Sequence, residues 1–169
     1  MEEHIQQKGW SEDGYIVDQD CFSEYRYRNM PADINACGPI AVFNLLHYLD
    51  RETDFSQLLR EMEALHRMPG PGPTSMRVMR LYLKALALPI LETEGRELAR
   101  TAASCSRAGI FRYWEGQEPH FISFIRRENG LFRFFNVADG LEDCEMSMDQ
   151  FAQEHLKGGL VIALTLGTV

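Results

Sequence analysis

The chain has 169 residues, a net charge of −8 and a pI near 5.1. That is enough length for one domain with a real core, and the wrong sign for nucleic acid or an anionic membrane as the main partner. No apolar run reaches transmembrane length, and the opening Met1-Glu2-Glu3-His4 is not a signal peptide.

The four cysteines, Cys21, Cys37, Cys105 and Cys144, are scattered without paired spacing, and the five histidines form no His-Glu-x-x-His pattern. This usage fits reduced thiols in a cytoplasmic protein better than a disulfide frame or a zinc site. No metal and no cofactor is expected.

In chain order, residues 1–36 are polar and irregular, with one short strand expected at Tyr15-Ile16-Val17. Trp10, Phe22, Tyr25 and Tyr27 are read as packing residues that pin this arm to the body. From Cys37 to Leu49 there is no Asp, Glu, Lys or Arg, and apolar residues cover every face. A helix apolar all round is buried on most sides. Pro39 suits its first turn, so Cys37 belongs at the helix start. Unpaired N–H groups and the positive dipole end there favour a thiolate, which prepares a nucleophile. A small buried cysteine beside a helix-starting Gly-Pro would look the same on this stretch alone.

Thr53 or Asp54 is expected to cap a helix through about Met68, with Phe55, Leu58, Leu59, Met62 and Leu65 at helical spacing. Pro69-Gly70-Pro71-Gly72-Pro73 is a hard break and an exposed loop. Thr74 or Ser75 then caps a third helix with a core stripe of Met76, Met79, Leu83 and Leu86.

Beyond this point the period changes. Strands are expected at 89–92, 109–114, 121–126, 131–137 and 160–166, with helices over 96–104 and 148–156. Glu128-Asn129-Gly130 is a hairpin signal. The apolar last strand reads as central and buried. Helices first and a largely antiparallel sheet second is an α+β order.

A cysteine at a helix start needs a base, and His120, held at the start of a strand after Pro119, is the candidate. With these residues in hand the chain resembles the papain-like cysteine peptidases. Asn35-Ala36-Cys37-Gly38-Pro39 leading a buried helix is similar to their nucleophile segment. In order and size the chain looks most like the C39-like branch, bacterial peptidase domains that trim double-glycine leaders from bacteriocins. Gly72-Pro73-Thr74-Ser75, Pro119-His120-Phe121-Ile122-Ser123-Phe124 before a hairpin, and Met148-Asp149-Gln150-Phe151 before an apolar strand continue the likeness over residues 29–166.

The resemblance implies an α+β papain-like fold, with residues 1–28 as an arm and 29–169 as one peptidase domain. It implies a hydrolase on peptide or protein substrates, through Cys37 as nucleophile and His120 as acid and base. With no Gly-x-x-x-x-Gly-Lys-Ser/Thr loop in the sequence, the transporter setting of many leader peptidases is not expected to carry over and a free-standing domain is. An Asn or Asp on the return strand would orient the imidazole. Asn136 lies sixteen residues after His120, and Asp139, three residues later, is held in reserve. Register decides between them. A two-residue turn at Asn129-Gly130 would set 120 opposite 139, whereas a three-residue loop would set 122 opposite 136 and put Asn136 on the face of His120.

One position departs from the family pattern. Where a Gln is expected about six residues before the cysteine to bind the oxyanion, this chain has Pro31, leaving Asn29 or Asn35 as the candidate donor. An inactive papain-like module that binds a peptide or partner, or an acyltransferase on the same site, stays open as an alternative. Oligomeric state is not legible.

Overall fold

The computed structural model describes residues 7–138 and 140–167. It starts with the arm, where a single 3-10 turn, Gln19–Cys21, is capped by the Asp18 carboxylate. The short ladder β1 (Arg26–Tyr27) and β2 (Met30–Pro31) turns through Arg28 and Asn29, both at positive φ. Next come α1 (Ala32–Asn35) and α2 (Cys37–Tyr48), the latter buried at every residue from Cys37 to Leu46.

The strand expected at Tyr15–Val17 is reduced to an isolated bridge between Trp10 and Ile16. The reason is chemical. The amide of Asn44, inside α2, takes both main-chain groups of Ile16, accepting from its N–H and donating to its C=O at 2.8 Å each. A helix side chain thus does what a neighbouring strand would do. Tyr15, Ile16, Phe22 and Tyr27 are buried in the same core as α2, so packing runs without a seam across residue 28.

Asp54 caps α3 (Phe55–Ala64) through the N–H of Gln57, and Ser75 caps α4 (Met76–Ala85) through that of Val78. The helix expected to reach Met68 therefore stops four residues sooner. The second half holds β3 (Ile90–Glu94), α5 (Arg96–Ser104), β4 (Ser106–Glu115), β5 (Glu118–Arg126), β6 (Phe132–Phe135), β7 (Asp143–Met146), α6 (Met148–His155) and β8 (Ile162–Gly167). Six strands pair antiparallel throughout, in the order β3-β8-β4-β5-β6-β7. Edge strand β7 was not foreseen, because Asp143 and Glu145 are poor strand formers.

Alternation decides what covers each face. Ile110, Phe121, Ile125, Phe135 and Leu164 face α2, α3, α4 and the arm. Phe111, Ile122, Phe124, Phe134 and Ala163 face α5 and α6, where Phe151 stacks on Phe134 with ring centres 4.0 Å apart. The fold is α+β, with the N-terminal helices packed on an antiparallel sheet and a second helical layer behind it. No helix of the described residues is long and apolar enough to cross a membrane.

Candidate active site

Cys37 is the first residue of α2, and the residue before it, Ala36, offers no side-chain cap. The first-turn N–H groups are therefore left for the cysteine itself or for a ligand. Gly38 lets this helix start close on the loop before α4. A Cβ at Gly38 would stand 2.7 Å from both Cβ and Oγ1 of Thr74. That threonine cannot easily yield, since its hydroxyl is bonded to buried Tyr27 at 2.8 Å. The Pro-Gly run is held as well as exposed: Arg28 donates to the carbonyl of Pro73 at 2.7 Å, and Asn35 donates to that of Gly72 at 3.0 Å. Gly72 and Pro73 so become one wall of a cleft of about 530 Å³ that contains Cys37 and His120.

His120 comes from the other half of the chain, near the start of β5. The register settles what faces it. Arg126 pairs with Phe132 and Ser123 with Phe135, and Gly130 N–H closes on Arg127 C=O, so residues 128–130 form a three-residue loop with Gly130 at φ 83°. The same register sets 122 opposite 136. The ladder ends at Phe135, and Asn136 turns away with φ 62°, a left-handed conformation that Asn tolerates better than most residues.

That turn changes which part of Asn136 meets the ring. His120 Nε2–H donates to the main-chain carbonyl of Asn136 at 2.8 Å. The Asn136 side chain is occupied elsewhere: Oδ1 accepts from the N–H of Gln19 at 2.9 Å, and Nδ2 donates to Gln19 Oε1 at 3.2 Å. With Nε2 engaged, Nδ1 is the ring nitrogen left for the thiol of Cys37, and the two groups shift each other's titration. Asp139 lies outside the described residues.

Electrostatics at the pair run in opposite directions. Burial would push the Cys37 thiol up, but the hydrogen bond and charge of His120, with N–H groups of Phe121 and Gly38, outweigh it and hold the thiol below its ordinary value. Burial likewise opposes charging of His120, yet the bond and charge of Cys37, the nearby carboxylate of Glu115 and the Asn136 carbonyl push the imidazole up to about 9. Both shifts stabilise one state, thiolate beside imidazolium. The other thiols differ. Burial raises Cys144 to about 11, and Cys21, beside Asp18, is also raised. Tyr113 meets the His120 ring edge to face, with centres 6.0 Å apart.

The two expected oxyanion donors stand differently. Asn29 is exposed at the β1–β2 turn and does not line the cleft. Asn35 does line it, but its amide hydrogens go to the carbonyls of Tyr27 and Gly72. The amide that the sequence reading missed is Gln19. It lines the cleft, and its Nε2 donates to the Asp33 carbonyl at 2.8 Å, which leaves a second hydrogen on the same nitrogen. Gln19 lies eighteen residues before Cys37 because residues 20–36 make a turn, a hairpin and α1 first. It is the only Gln between Lys8 and Cys37, and that was the available signal. Among the described residues no three His, Cys, Asp or Glu side chains converge on a point that could hold a metal ion.

A cysteine-bearing helix packed on an antiparallel sheet that carries a histidine gives the chain a papain-like, C39-like fold. One solved structure to which it is similar is the peptidase domain of Streptococcus ComA, described as a bi-functional ABC transporter involved in a quorum sensing pathway. The TM-score is 0.52 at 15% identity, over 79% of this chain and 93% of that one. At such identity the likeness is one of fold. No family model and no curated protein matches the sequence.

Proposed function

We propose that this chain is a cysteine hydrolase that cleaves peptide bonds through an acyl-enzyme on Cys37. The observation that carries the proposal is that Cys37, at a helix start, and His120, its ring held by the Asn136 carbonyl, line one cleft, with the thiol lowered and the imidazole raised. The thiolate attacks the carbonyl carbon, and the imidazolium gives its proton to the departing amine as the C–N bond breaks. Neutral His120 then takes a proton from water, which attacks the thioester, and the thiolate and imidazolium are restored.

Asn136 contributes twice, its carbonyl orienting the ring and its side chain holding Gln19. The free amide hydrogen of Gln19 and the N–H of Cys37 at the helix start are assigned to the oxyanion. These donors stand in for the amide that the family pattern expects at Pro31. Transfer of the acyl group to an amine would use the same intermediate.

The test is digestion of a diverse peptide mixture, with cleavage sites read by mass spectrometry and Cys37→Ala as control. Cleavage by the parent alone supports the proposal. No cleavage by the parent, with the thiolate still reactive, moves the assignment to the binding module. Products joined to an added amine in place of water move it to a transferase.

A further inference from the structure

The chain has seventeen Lys and Arg residues, and among the described residues none of them lines the cleft around Cys37. Six carboxylates do: Asp18, Asp20, Asp33, Glu115, Glu118 and Glu142. They come from four separate places, namely the 3-10 turn, α1, the β4–β5 hairpin and the loop before β7. Among the described residues none of them forms an ion pair with Lys or Arg, whereas Asp13, Glu92, Glu97, Asp143, Glu145 and Asp149 elsewhere all do. Among the described residues that line the cleft, His120 alone can carry positive charge, and that charge faces the Cys37 thiolate. A concave surface of one sign concentrates the opposite charge.

The same cleft holds the reacting pair, since Cys37 and His120 both line it. Between the carboxylates the cleft wall is apolar at Met30, Ile34 and Val137, and Ile34 is 59% exposed.

We propose that the cleft takes an extended basic peptide, with Lys or Arg side chains on the carboxylates and apolar residues against Met30, Ile34 and Val137. The assignment of such a peptide as substrate rests on the hydrolase reading, while its binding does not.

Three peptides of one backbone, carrying Lys, norleucine or Glu on either side of the central bond, separate the two claims. Binding is measured by fluorescence anisotropy on Cys37→Ser, and turnover of a small neutral activated ester on the parent. The Lys peptide should bind at least about tenfold more tightly than the Glu peptide at low salt, with the ratio shrinking in 0.5 M salt. In D20N/E118Q/E142Q the ratio should fall toward one, with ester turnover unchanged. Equal binding of the three peptides, or a ratio untouched by the triple variant in folded protein, overturns the basic-peptide assignment whatever the ester shows. Failure of ester turnover with the charge preference intact overturns only the hydrolase reading.

Discussion

Replacing Asn136 by Gly separates its two roles. The substitution deletes the bonds to Gln19 at 2.9 and 3.2 Å, worth about 1 kcal/mol each. It leaves the carbonyl that holds His120, and glycine takes φ 62° without strain. The extra freedom of glycine in the unfolded chain adds roughly 0.5–1 kcal/mol. The expected loss of stability is thus about 2–3 kcal/mol, or on the order of 4–12 °C in Tm for a chain of this size. Asn136→Ala should lose as much or more, since it deletes the same bonds and alanine tolerates the left-handed region less well than either Asn or Gly. Alkylation of Cys37 by iodoacetamide at pH 6 should stay within about threefold of the parent in Asn136→Gly, because the ring is still held. Turnover should fall by up to about 10²–10³-fold as Gln19 loosens. If alkylation in folded Asn136→Gly instead dropped to the level of His120→Ala, the side chain and not the carbonyl would be what orients the ring.

Limiting iodoacetamide at pH 6 should label Cys37 ahead of exposed Cys21 and Cys105, and His120→Ala should slow that reaction by about 10²; a first label elsewhere would remove the nucleophile assignment. Turnover should fall as pH rises through about 9, where His120 loses the proton it gives to the leaving group, while alkylation should not fall there. On the acid side both should fail together, as Cys37 is protonated. Asn44→Ala strands the N–H and C=O of Ile16 and removes the bond to Ser123 Oγ, for a loss of roughly 3 kcal/mol or more. Limited proteolysis should then release the arm; a parent-like Tm would show that Asn44 does not anchor it.

Most of the helical half was legible because a few residues announce it: Thr53 or Asp54 and Thr74 or Ser75 as candidate caps, of which Asp54 and Ser75 serve, Cys37-Gly38-Pro39 as a helix start, an uncharged run as a buried helix. The hairpin register was legible as a choice between two, and Gly130 at positive φ settles it for the three-residue loop. What sequence could not show was which atoms of Asn136 would be used. Spacing puts a residue opposite another, but the left-handed φ at Asn136 rotates its side chain toward the arm and presents its carbonyl to His120. Gln19 was hidden for a related reason. Its distance from Cys37 along the chain is set by an inserted hairpin, and nothing local to Asp18-Gln19-Asp20 says that the turn docks on a strand from the far half.

The central claim is that Cys37 carries an acyl group during the reaction, and intact-protein mass spectrometry tests it most directly. The parent is mixed with an activated ester and quenched in acid within the first turnover, and the modified peptide is then mapped. The account predicts one acyl adduct, on Cys37, that decays on incubation before the quench and is absent from Cys37→Ala. An adduct on another residue, or one on Cys37 that never decays in the parent, would contradict it.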